Sequence, residues 1–456
     1  MSCIVIRNVV LFTIDGQDRV YRDGTVVVRG DRIAVVGPSD QVGIPADAGR
    51  VIEGGHKMAL IPGLIDTHSH SSLLRGVTEN YQLLDWLPRY QLEHRALTEA
   101  DAYYAALLSY LEALKGGTTC VMDMYRFMHR CAEAAGDLGL RVNLVPYTAD
   151  APGKDFFETM ESTRQLIESQ HGTQGGRVRV WVGLEHLFYC SPQAYQTAIE
   201  YSRHYGVGIH THSSEQKEEV EAVEQHFGHK PIHLFQQYGI LGPQTAIAHC
   251  VWLDESEIQL LRDTGTAVCH CPISNAKLAG GIAPIPELLQ AGIRIGLGTD
   301  GNISNNNLDM FEEMKFASLL QKVKHYDAAA LPASTMLRMA TIEGAKVLGL
   351  EQEIGSIETG KKADLVLVDL SGPNLMPLVW ERNPNGIEET NILWNLVYAA
   401  RASNVHSVWV DGIPVIEAGQ STQLSEAKAL AEIQAQTEDL LRRRDPFKAT
   451  LTPVVG

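Results

Sequence analysis

At 456 residues and a formal charge of −17, the chain is long enough for one large domain or two ordinary ones, and too acidic to suit nucleic acid. Its 45% apolar and 20% charged residues are those of a globular protein, and no apolar run approaches the ~20 residues of a membrane span. The seven cysteines show no CxxC spacing and lie mostly inside apolar runs, which reads as reduced core thiols in a cytoplasmic protein.

The first 60 residues hold short β-branched runs separated by turns. Residues 4–6, 25–28 and 33–36 alternate with Asp15-Gly16 and Gly30-Asp31, leaving no room for a helix longer than one turn. The N-terminus therefore reads as a strand and not as a secretory signal. From residue 61 the rhythm changes to strand, helix, strand, helix. A helix is predicted over 98–114, where Thr98 can cap and Asp101 sits three residues on; Gly116-Gly117 stops it. Strands are predicted at 118–123, 142–146, 178–183, 207–212, 245–249, 267–271 and 293–300. With the one ending at His70 they make eight, and eight βα units in about 290 residues predict a (β/α)8 TIM-type barrel over 61–349. Past Leu350 the β rhythm returns at 363–368 and 407–410, the second followed by Asp411-Gly412. Each terminal β piece is too small to bury its own core. The expectation is one small β-sandwich domain made of residues 1–60 and 350–456, closed by a polar helix over 424–444.

A barrel carries its chemistry at the C-terminal ends of its strands. The first predicted strand ends in His68-Ser69-His70, and at i, i+2 both imidazoles fall on one face of an extended strand. Alone, that pair is equally two polar residues at a strand end. Three further strand-end groups, His212, His249 and Asp300, turn it into a candidate metal site, since imidazole is a common ligand for Zn, Fe, Ni and Cu. His210 shares a face with His212, so one of them should lie deeper in the core. Glu215 follows where the chain leaves the strand, either above the metal or as an ordinary surface carboxylate. Cys269-His270-Cys271 could imitate a metal cluster, but adjacent residues are not a usual tetrahedral ligand spacing.

Pro62-Gly63-Leu64-Ile65-Asp66-Thr67-His68-Ser69-His70, His212-Ser213-Ser214-Glu215, Ala248-His249-Cys250 and Gly298-Thr299-Asp300-Gly301 together resemble the amidohydrolase superfamily. Residues 355–369, GSIETGKKADLVLVD, look like that family's return into its β domain. Cys271-Pro272-Ile273-Ser274-Asn275 and the run from Ser304 to Met310 are similar to one branch, the cytosine- and adenosine-type aminohydrolases. Within it the resemblance is to methylthioadenosine/S-adenosylhomocysteine deaminases and triazine hydrolases. It implies one divalent ion, Zn first and Fe second, held by His68, His70, His212 and Asp300. No lysine occurs in 178–183, which argues against a carbamylated-lysine bridge and for a single ion. The implied reaction is release of ammonia from an aminated N-heterocycle by hydroxide held on the ion. Asp300 would carry the proton, His249 would orient the nucleophile and Glu215 would protonate a ring nitrogen. The alternative is removal of chloride, alkylamine or amide from a triazine- or cyclic-guanidine-like ring.

In the same resemblance Trp86 is a stacking platform or a plug of the barrel top, Glu93 the carboxylate for ribose hydroxyls, and Ser304 a further substrate contact. After the fourth strand, relatives carry Gly-Pro-His-x-Pro-Tyr where this chain has Gly183-Leu184-Glu185-His186-Leu187-Phe188. Glu185 therefore replaces the substrate-contacting histidine, with His186 one place later; either could face substrate. A carboxylate there favours a substrate richer in N–H donors or positive charge. Residues 146–150 also lack the arginines expected to grip a homocysteine carboxylate. The expected partner is a small heterocycle, neither nucleic acid nor membrane, and the resemblance implies a homo-oligomer.

Overall fold

A computed structural model of the chain describes residues 3–382 and 388–448. The chain folds into two compact units. One is built from the first 66 residues, Glu112–Cys120 and Asp309–Gln423; the other from Thr67–Leu111, Val121–Leu308 and the segment from Leu424 onward.

The first unit is organised on one nine-stranded sheet that takes strands from both ends of the chain. Cys3–Phe12, Val20–Arg29 and Arg32–Pro38 form an antiparallel meander, and Arg50–Glu53 and Met58–Pro62 run parallel to the first of these. Met58–Pro62 then pairs antiparallel with Leu365–Asp369, Leu365 opposite Pro62, which joins the two ends of the sequence. Val405–Val410, Ile413–Glu417 and Gln420–Ser421 complete the sheet. Asp411 and Gly412 both take positive φ, 49° and 70°, the conformation of a tight two-residue hairpin turn. Period-two alternation puts Ile4, Ile6, Val26, Val28, Leu365 and Leu367 on one face, where they pack around Trp409.

From Leu64 onward parallel strands and helices alternate. Every predicted strand position is occupied: Leu64–His70, Thr118–Tyr125, Arg141–Pro146, Ile209–Ser213, Thr245–His249 and Ala267–His270 are single strands. The fourth and eighth positions are each interrupted, into Val178–Val180 with Val182–Leu184 and Ile295–Leu297 with Asp300–Gly301. The breaks divide the parallel strands into two five-stranded sheets. Each break admits a close approach. A Cβ on Gly183 would lie 1.9 Å from the Pro146 carbonyl, and one on Gly298 would lie 2.9 Å from the His68 backbone oxygen.

The helix Glu99–Lys115 begins as expected, with Thr98 N–H and Oγ donating to Asp101 Oδ2 at 2.6 and 2.7 Å. Before it lies a helix the sequence did not announce, Leu83–Ala96, which carries Trp86 and Glu93; Pro88 inside it masks the helical signal. All seven cysteines are buried. No helix among the described residues is long and apolar enough to cross a membrane.

Candidate active site

His68, His70, His212, His249, Asp300 and Glu215 converge at the ends of their strands, and all are buried. The candidate ligand atoms of His68, His70 and Asp300 lie within 4.8 Å of one another, as do those of His68, His212 and His249. Asp300 Oδ1 is 3.4 Å from His70 Nε2 and 3.7 Å from His68 Nε2.

The outward partners of these rings fix their protons. His70 Nδ1 sits 2.6 Å from the Met124 carbonyl and His212 Nδ1 2.8 Å from the Glu185 carbonyl. A carbonyl only accepts, so both Nδ1 atoms carry hydrogen and both Nε2 atoms are bare lone pairs. Those two Nε2 atoms face each other at 3.1 Å. Two lone pairs cannot bond; a shared cation accounts for the spacing, since Zn–N bonds of ~2.0–2.1 Å place two tetrahedral ligands roughly 3.3 Å apart. His68 follows the same logic one step deeper. His210 Nδ1 donates to the Ala246 carbonyl at 2.9 Å, so its Nε2 accepts from His68 Nδ1 at 2.8 Å and the His68 Nε2 lone pair turns inward. Burial, then the neighbouring imidazoles, hold His68 and His212 well below the usual histidine range, which keeps them neutral as ligation requires. The residues present therefore fit a divalent cation.

On the far side of Asp300, Ser274 Oγ donates to Oδ2 at 2.6 Å, and His249 Nδ1 donates to Asn275 Oδ1 at 2.9 Å. His249 Nε2 lies 3.6 Å from Glu215 Oε2. Burial, reinforced by the nearby carboxylates of Asp300 and Glu219, pushes the Glu215 carboxyl well above its ordinary range, which favours its protonated form. Backbone strain is concentrated here: Ser214, His249, Cys250 and Asp300 take φ of 55°, 74°, 48° and 60°, the left-handed region that L side chains rarely enter.

A cavity opens onto these groups. Trp86, Tyr90, Tyr147 and three leucines give it apolar walls; Glu185, His186, Glu215, Asp300 and Ser304 supply polar ones. Trp86 is at once wall and plug: its indole donates to the Thr78 carbonyl at 3.1 Å and stacks on Tyr90 at 4.7 Å. His186 lines the cavity with both ring nitrogens already engaged. Its Nδ1 accepts from Phe188 N–H and its Nε2 donates to Glu219 at 3.1 Å. Burial alone would lower His186; the Glu219 contact outweighs it and raises the ring. Glu185 differs: it is 3% exposed and its Oε2 accepts no hydrogen bond among the described residues. Burial pushes its carboxyl up to about 7, against the pull of His186 and Lys154.

Glu93 is not among the cavity walls. Tyr125 Oη and Ser72 Oγ donate to its carboxylate at 2.7 and 3.0 Å, turning it into a buried brace between the Leu83–Ala96 helix and a strand. The sequence reading also passed over Tyr90, Tyr147, Ser274, Asn275 and Glu219. Ser274 and Asn275 lay inside a motif already singled out. Glu219 carried a local signal: three residues past Gln216, it accepts from the Gln216 N–H in a capping geometry and also from those of Ser214 and Glu215.

An alternating parallel unit with histidines and an aspartate gathered at strand ends defines a metal-dependent hydrolase. The amidohydrolase family profile matches residues 59–415, and the chain belongs to that family; it is a hydrolytic enzyme acting on carbon–nitrogen bonds. The chain is 37% identical over 447 residues to a 5-methylthioadenosine/S-adenosylhomocysteine deaminase of Pelotomaculum thermopropionicum, covering 97% of this chain and 100% of the relative. It is 36% identical over 447 residues to a 5'-deoxyadenosine deaminase of Methanosarcina mazei, covering 97% and 99%. Among solved structures it is similar to a zinc-bound adenosine deaminase of Xanthomonas campestris, with a TM-score of 0.88, 29% identity and coverage of 96% and 98%.

Proposed function

We propose that the protein is a hydrolytic deaminase releasing ammonia from an aminated N-heterocycle of the adenosine type, with a single zinc ion held by His68, His70, His212 and Asp300. The observation that carries this reading is the pair of facing Nε2 atoms of His70 and His212, 3.1 Å apart, beside a buried Glu215 whose carboxyl burial pushes well up. The deaminase names of the relatives support it. In the same reading the two parallel sheets close into one (β/α)8 barrel, the interrupted fourth and eighth positions each serving both sheets.

When bound, the ion supplies a Lewis acid that makes water nucleophilic near neutral pH. Asp300, steered by Ser274 on its other oxygen, takes the water's first proton as oxygen attacks the amidine carbon. His249, its Nδ1 tied to Asn275, presents a lone pair at Nε2 that orients the water. Glu215 delivers its proton to the adjacent ring nitrogen, so the tetrahedral carbon forms without an unpaired charge. Collapse breaks the bond to the amino group: Asp300 returns its proton to the departing ammonia, and the remaining hydroxyl proton passes to Glu215.

Ammonia release across adenosine, its 5′-thio and 5′-deoxy derivatives, guanine, cytosine and aminotriazines tests the reading. Turnover of at least one member is expected, with Glu215→Gln lowering it about 10²–10⁴-fold, the usual worth of an acid–base group. Silence of the metal-loaded protein across the panel, or a near-normal rate in the variant, would sink it.

A further inference from the structure

The cavity walls bring together three carboxyls, from Glu185, Glu215 and Asp300, and no lysine or arginine. Two of them are accounted for by hydrolysis. Asp300 is held by Ser274 and the Gly301 N–H, and Glu215 stands beside His249. Glu185 has no part in the proton transfers. Its backbone is clamped on both sides, its N–H donating to the Thr148 carbonyl at 3.0 Å and its own carbonyl receiving His212. The carboxyl is thereby fixed on the cavity wall, 97% buried, with Oε2 left without a donor among the described residues.

The nearest cations are committed elsewhere. His186 is paired with Glu219, and Lys154 donates to Gln91 Oε1 at 2.6 Å while lying over the Tyr189 ring. A buried acceptor without a donor costs the fold free energy. Such a group persists where a ligand supplies the missing donor: Trp86 and the leucines are apolar at the cavity, Ser304 Oγ is bonded to Gly301, and the hydroxyls of Tyr90 and Tyr147, the other donors on the wall, make no hydrogen bond to Glu185 Oε2.

We propose that Glu185 is a specificity residue that selects, among aminated heterocycles, those carrying a second N–H donor, an exocyclic amino group or ring N–H away from the bond being broken. This rests on the deaminase reading and sharpens it. The leaving amino group faces Asp300 and Glu215; the second donor meets Glu185. An N–H and an amino group side by side on a ring edge match the two oxygens of one carboxylate, so an amidine edge is the best complement.

Matched pairs that differ only in that donor test the proposal: adenine against 2,6-diaminopurine, and adenosine against its 2-amino derivative. The full-length protein is loaded with zinc, kcat/KM is measured for ammonia release, and binding of each ring is followed by calorimetry. The diamino member should be preferred about 10–100-fold, the usual value of a hydrogen bond to a charged group. In Glu185→Leu and the isosteric Glu185→Gln that preference should shrink toward unity, whatever happens to the absolute rate. Equal use of both members by the wild type, or a preference that survives both substitutions, overturns the assignment. A binding preference without release of ammonia would instead defeat the deaminase reading and leave Glu185 as the selector. Neither turnover nor a binding preference would defeat both.

Discussion

His210 shows how much of this site depends on residues that touch no reacting atom. It stands between the Ala246 carbonyl and His68, and its single available lone pair dictates which nitrogen of His68 faces inward. His210→Ala removes the acceptor that holds the His68 Nδ1–H. Metal affinity, measured by competition with a chromogenic chelator, is expected to fall about 10–100-fold. Wild-type affinity in the variant would mean that the His68 ring holds its orientation unaided. At this scale the sequence was legible where spacing carries chemistry. The i, i+2 pairs His68/His70 and His210/His212 announce shared faces, and the deeper member of the second pair is His210. It was illegible where a role depends on a contact across the unit. Glu93 sits in a run that resembles a ribose-binding motif, yet Ser72 and Tyr125, from two other segments, claim its carboxylate.

The C-terminal helix Glu426–Lys448 shows what a polar sequence can hide. Its buried residues Ala429, Ile433 and Leu440 form a stripe too narrow to stand out among so many charges. The specific anchor is Asp101, fully buried at the start of the helix Glu99–Lys115. It accepts from Arg443 at 2.7 Å and from Gln436 at 2.7 Å on one oxygen, and from Thr98 on the other. Asp101→Ala removes the cap and one partner of Arg443, which keeps Asp439 and the Ala96 carbonyl. It should cost about 1–3 kcal/mol in urea unfolding and expose the last helix to limited proteolysis. An unchanged midpoint would assign the docking to the apolar stripe alone. The capping pair Thr98/Asp101 was readable from its spacing; the second use of Asp101, more than 300 residues away in sequence, was not. The helix Leu83–Ala96 escaped for a local reason, since Pro88 lacks the N–H that a helix interior spends.

For the molecule as a whole, the candidate metal centre sits at the junction of strands from far-apart parts of the sequence, so an ion there ties those strands together. Four buried imidazoles turn inward on one another, and without a cation their lone pairs repel. Removal of the ion by a chelator should lower the unfolding free energy by about 3–4 kcal/mol relative to protein with metal at a hundred to a thousand times its Kd. Differential scanning calorimetry with and without chelator checks this. Reconstitution with zinc or ferrous ion, following the unfolding temperature and the return of ammonia release together, identifies the metal. An unfolding temperature indifferent to chelation would mean that the site is not loaded. The eight strand positions were readable from the alternation of apolar runs and helical stretches. How the two ends of the chain pair was only half readable: neither piece could make a core alone, but the register of Leu365 on Pro62 is set by packing across some 300 residues.

The left-handed backbone at His249 and Asp300 sets what selection must keep doing here. Glycine or asparagine would occupy those φ values at lower cost, so the genetic neighbours most favourable to the local backbone are the ones that discard the carboxylate or the imidazole. A lineage released from the need to turn over substrate would meet a downhill route: it would lose the chemistry while its fold grew more secure. The two side chains persist only as long as their product matters to the cell.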